Sequence, residues 1–169
     1  MATTTTQREH SRENPPDLHH VNTWQLEKEG RKWGLILGAI TAVYLLIVNA
    51  IFADLPLGLR FAKHLIIIPV LWIATSKYAA SVPEGEAFKG EISLMFRIGA
   101  WATAVLATTN IILSAINPDI GFEQFMNEGN TFGDAMMNSF FIAMETLVFV
   151  MIIGFVFLQY YKGKGSPED

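Results

Sequence analysis

Glu145 stands in an otherwise apolar run, Ala143-Met144-Glu145-Thr146-Leu147-Val148-Phe149. An ionisable group inside a membrane is costly unless paired or hydrated, so such a residue points first to function. Four other polar residues fall near the same depth: Asn49, His64, Asn110 (beside Thr108 and Thr109) and Asn138. At about 1.5 Å per helical residue, they lie within roughly one or two turns of Glu145 along the membrane normal. Together they form a candidate intramembrane polar cluster, open to the outside, in which Glu145 exchanges protons. The competing reading takes precedence. In it Glu145 is neutral and hydrogen-bonded to Asn110 or a threonine, holding helices together. His64 reads as a headgroup-level residue rather than a ligand.

Other spacings carry less chemistry. Met137, Met144 and Met151 recur every seven residues on one helix face. Thioethers bind copper(I), but with no cysteine and one histidine near a span, a packing seam is the expectation. Gly30, Gly34 and Gly38 are spaced by four, which lets helices approach closely, inside the bundle or between subunits. Arg97 sits about one turn inside an apolar run and is expected to snorkel to the headgroups; lipid or phosphate binding is its weaker alternative. Asp119, Glu123, Glu128 and Asp134 lack the alternation of a calcium loop and read as a solvated acidic loop. His10, His19 and His20 lie in a polar head and define no site. No metal site and no cofactor is expected: two intramembrane histidines for haem are missing, as are phosphate loops, dinucleotide fingerprints and metalloprotease helices.

The elements that must position these residues are four apolar stretches, at 33–53, 61–80, 94–116 and 136–160. A hydrocarbon core about 30 Å thick needs about 20 apolar residues in a helix, and only helices or closed barrels satisfy their backbone in lipid. These runs lack the period-two alternation of barrel strands. The expected fold is therefore an all-α membrane protein, an antiparallel bundle of four transmembrane helices with short connections. Asn117-Pro118-Asp119 reads as a helix start, with Asn as N-cap and Pro at the first helical position. With Phe122, Phe125 and Met126 on one face, it predicts a short outer interfacial helix. Pro69 should kink the second span.

The polar head at 1–22 is expected to be disordered. Residues 17–32 mix Trp24 and Leu26 with charges and predict a separate amphipathic segment at the headgroups. The transmembrane domain occupies 23–162, and 163–169 form a polar tail. The start is not read as a signal peptide, because about thirty polar residues precede the first apolar run. Lys28, Arg31 and Lys32, then Lys77, Lys89 and Arg97, then Lys162 and Lys164 fall on one side of the spans, which puts both termini in the cytoplasm. Arg60 and Lys63 fall on the other. The net charge is only −4, with scattered basic residues, which excludes a nucleic-acid site. The absence of cysteine excludes disulfides and thiolate chemistry.

Residues 86–126 carry a resemblance. Ala87-Phe88-Lys89-Gly90 precedes the third span, and Ile116-Asn117-Pro118-Asp119 with Phe122, Phe125 and Met126 follows it. With Gly34 and Gly38, this resembles a family of small four-span bacterial membrane proteins of unknown function. The resemblance covers about 31–162 and implies a bacterial inner-membrane location. It implies no activity, since the family has none assigned, and the long polar head departs from its pattern.

Three functional readings follow, in order. The first is an accessory or scaffolding membrane subunit, in contact with lipid and with membrane-protein partners or copies of itself; it predicts tolerance of Glu145→Gln. The second is a small oligomeric transporter or proton-linked carrier using Glu145. The third is a lipid-acting enzyme, for which Asp54, Arg60 and His64 are the candidates. Catalysis is the least favoured, and no catalytic residue is assigned.

Overall fold

The computed structural model describes residues 18–52, 57–81, 87–116 and 132–162. They form four α-helices: α1 (Leu18–Ile51), α2 (Leu57–Ala79), α3 (Ala87–Ile116) and α4 (Phe132–Lys162). α3 and α4 contain the third and fourth apolar runs whole, whereas α1 and α2 stop two residues and one residue short of the ends of theirs. The anticipated outer helix, with Phe122, Phe125 and Met126, lies outside the described residues, as do 1–17 of the head, the 163–169 tail and the acids Asp119, Glu123 and Glu128. Asp134 lies in the first turn of α4.

Residues 18–32 are not a separate interfacial helix. They are continuous with the first span in one helix of 34 residues. No proline interrupts Leu18–Ile51, and the one glycine before Trp33, Gly30, is packed under Arg97. Pro69 lies inside α2. Neighbouring helices and local hydrogen-bond adjustment make proline tolerable in apolar helices of this kind.

Three segments are long and apolar enough to cross a membrane: Gln25–Ile51, Gly90–Ile116 and Phe132–Tyr160, of 27, 27 and 29 residues. At about 1.5 Å per residue each exceeds a hydrocarbon core of about 30 Å. The chain therefore has the make-up of an all-helical integral membrane protein. α2 is shorter, at 23 residues, and carries Arg60, Lys63, His64 and Lys77; it is not among the three.

Side-chain contacts fix the helix directions. Gly30 packs under Arg97, Gly34 under Ile98 and Trp101, and Gly38 under Ala102 and Val105. Both series rise together, so α1 and α3 run parallel. Met95 packs on Gly154, Val150 on Gly99, and Asn110 meets Ser139; α3 and α4 are antiparallel. Lys63 meets Glu145 and Trp72 meets Phe157, so α2 and α4 run parallel. The Tyr44 hydroxyl donates to the Leu59 carbonyl at 2.8 Å, and Lys77 lies over Trp33, so α2 returns antiparallel to α1. The bundle is up-down-up-down.

Between apolar helices in lipid there is little hydrophobic drive, so close packing and polar contacts must hold them. The glycines supply the first. A Cβ on Gly34 would stand 2.5 Å from the Trp101 Cβ and 2.8 Å from the Ile98 carbonyl oxygen. No side chain fits there, and α1 approaches α3 across bare backbone. Leu37, Leu71, Leu94, Ile98, Ala102 and Val150 fill the core at one end, and Ala42, Leu45, Leu106 and Ile142 at the other. Large apolar side chains cover the outside, among them Ile40, Val43 and Ile47 on α1 and Phe140, Val148, Ile152 and Phe155 on α4.

Candidate functional site

The polar residues inside the bundle separate into two groups. The first joins α2 to α4. Lys63 Nζ donates to Glu145 Oε2 at 2.8 Å, and His64 Nε2 lies 2.9 Å from Glu145 Oε1. An ionised carboxylate only accepts, so His64 presents Nε2–H to it. The imidazole also stacks on Phe149, with centroids 3.6 Å apart and planes inclined by 10°. Phe149 follows Glu145 by four residues, so one face of α4 offers both the carboxylate and the ring that hold the histidine. Phe61, one turn earlier on α2, lies 6.1 Å from the imidazole. The side chains of Lys63 and His64 are 2% and 7% exposed, whereas that of Glu145 keeps 20%. Lys63 and His64 are sealed within the protein and one edge of the carboxylate reaches its surface.

The second group joins α3 to α4. Asn110 Nδ2 donates to Ser139 Oγ at 2.8 Å, and Ser139 donates onward to the Ala135 carbonyl at 2.7 Å. Asn138 is buried beside Ser139, and Asn49 is half-buried near the end of α1. Ser139 and Glu145 are six residues apart. At 3.6 residues per turn their side chains leave α4 about 120° apart, one toward α3 and the other toward α2. Asn138, seven residues before Glu145, leaves α4 on nearly the same face as the carboxylate. Glu145 and His64 meet; Asn110 meets Ser139.

His64 is 6% exposed, within the bundle and against Glu145. Lys63, read from the sequence as a loop-flanking charge, is the cation of the site. Its proximity to Arg60 and to the start of the span disguised it, and only its position one residue before His64 hinted at a shared neighbour. Glu91 was likewise not singled out. It is buried near the start of α3, with Oε1 lacking a hydrogen-bond partner among the described residues.

Gly30, Gly34 and Gly38 all face α3, inside the chain. Met137 and Met144 are exposed on the outside of α4 and Met151 is half-buried, so this stripe is not an internal seam. Arg97 lays its stem over Gly30 and brings Nη1 to 4.0 Å from Glu27 at the exposed margin.

Chemically, the α2–α4 site is an ion pair with a histidine as second donor. Two of its three side chains are common metal ligands, but the third place is taken by an ammonium group. Among the described residues no group of three or more His, Cys, Asp or Glu could hold a metal ion. No family model matches the chain, and no curated protein or solved structure matches it.

Proposed function

We propose that the chain is a four-span membrane protein of the bacterial inner membrane, with both termini cytoplasmic. On this reading it serves as an accessory subunit that packs against membrane partners. The parallel run of α1 and α3 supports a crossing α2: if both span in the same sense, α2 must return the chain, and 23 residues rise about 34 Å. Basic residues Arg31, Lys32, Lys77 and Lys89 gather at one end of this arrangement. Membership in the small four-span family that the chain resembles is part of the same proposal.

The observation that carries the accessory role is the pairing of Glu145. Its charge is met from within the chain by Lys63 and His64, which makes the cluster a strut between α2 and α4. Large apolar side chains meanwhile face outward, where lipid or a neighbouring helix covers them. A second reading, a proton-linked carrier, draws on the 20% exposure of Glu145 next to a histidine. Purification of the tagged chain in native nanodiscs, with mass spectrometry of what accompanies it, separates the two. Stoichiometric membrane subunits are the expected result. A clean homo-oligomer would contradict the accessory role and shift weight to the carrier.

A further inference from the structure

The basic end of the bundle holds a second polar site, far from the ion cluster. On α1, Gln25, Glu29 and Lys32 recur at helical spacing; on α2, Ala74, Lys77 and Tyr78 do the same, with Ser81 in the turn just past its end. Each set occupies one helix face, and the two faces enclose a cleft of about 190 Å³. Trp33 organises it. The Lys32 ammonium lies 5.6 Å from the centroid of the Trp33 ring, and the Lys77 ammonium, from the other helix, 5.3 Å from the same ring. Trp33 is 9% exposed, so the ring is a fixed support. Its indole N–H donates to Glu29 Oε2 at 3.0 Å. The Glu29 carboxylate in the cleft is thereby engaged by a neutral donor, and among the described residues neither lysine pairs with it.

Both ammonium groups line the same cleft, so an anion bound there meets two positive charges against the Glu29 carboxylate. The Gln25 amide adds a neutral donor. The Ser81 hydroxyl is already committed to the Tyr78 carbonyl at 2.8 Å and serves as wall. One turn deeper than Lys32, Leu35 is exposed, and so is Ile73 beside Ala74; both offer apolar surface below the charged rim. Basic pockets between helices at the cytoplasmic interface suit lipid phosphates. We propose that this cleft binds a phosphate-bearing anion, with Lys32 and Lys77 as the charged clamp. The phosphate comes from an anionic phospholipid headgroup or from the free ion.

The full chain, reconstituted with equal phosphatidylglycerol and phosphatidylcholine and released into native mass spectrometry, tests this. Parent and variants are compared in the same bilayer, so the difference reads the cleft and not insertion. The parent should retain phosphatidylglycerol over phosphatidylcholine. One basic residue near an anionic surface is worth about fivefold in binding, so Lys32→Gln/Lys77→Gln should retain about 25-fold less. Lys32→Arg/Lys77→Arg should restore retention, and Lys28→Gln should resemble the parent. A second arm adds inorganic phosphate. Its displacement of the lipid at millimolar concentration assigns the site to the free ion, and resistance assigns it to the headgroup. Equal retention of both lipids together with no phosphate binding, or a Gln double variant that retains as much as the parent, overturns the proposal.

Discussion

Neutralising Glu145 without touching Lys63 should destabilise the bundle, and removing both charges should largely repair it. At 2.8 Å, two unit charges attract by about 6 kcal/mol at an effective dielectric of about 20. Desolvation of both ions offsets most of that gain, so the pair adds little net stability over a well-packed apolar pair. The single variant differs. Glu145→Gln keeps the shape but leaves the Lys63 ammonium, 2% exposed, with no opposing charge at that position. Breaking a buried pair from one side costs about 3–5 kcal/mol. The partial exposure of Glu145 does not soften this figure, because the charge that loses its carboxylate is the buried one. Lys63→Met should cost less, about 2 kcal/mol, since the carboxylate keeps its histidine donor and its exposed edge. Lys63→Met/Glu145→Met should return to within about 1 kcal/mol of the parent. Unfolding in mixed micelles with increasing SDS, followed by tryptophan fluorescence, reads each value. A Glu145→Gln loss below about 1 kcal/mol, or a double variant whose loss equals the sum of the singles, would refute the reasoning.

Two further outcomes follow from the packing. Gly34→Ala should destabilise by about 1–3 kcal/mol in the same assay, because the new methyl meets Trp101 and the Ile98 carbonyl, whereas Gly58→Ala meets nothing within 4 Å and should be near neutral. Asn110→Leu should cost about 0.5–2 kcal/mol, the range of interhelical polar contacts, and Ser139→Ala should cost little more once Asn110 is gone.

Much of this architecture is legible in the sequence because apolar length is a one-dimensional property. The runs around Leu37, Ile67, Ile98 and Val150 each centre on a helix, and the four-residue glycine spacing marks a close helix contact whichever partner it meets. Glu145 is visible for the same reason: one carboxyl in an apolar run needs no alignment to be seen. Its partner is not visible. Depth follows from counting residues, but azimuth does not, so Asn110 and Lys63 are equally eligible until the direction of α4's side chains is known. The contact that forms is separated by 82 positions. Tolerance of Glu145→Gln was a fair expectation for a carboxyl bonded to an amide or hydroxyl; with Lys63 opposite, the expected sign reverses. The continuity of α1 was hidden differently. A polar, aromatic composition at 17–32 resembles a surface helix, yet nothing in Leu18–Ile51 stops the backbone ladder from running on.

The placement of every group described here, from the depth of the ion pair to the side on which the lysine cleft opens, depends on α2 crossing the membrane. The chain has no native cysteine, so a single introduced thiol reports its own location. Phe52→Cys and Ser81→Cys flank α2 at its two ends. In intact bacterial spheroplasts, a membrane-impermeant maleimide should label Phe52→Cys and reach Ser81→Cys only after permeabilisation. Labelling of both thiols from the same face would contradict the four-span bundle and the account built on it.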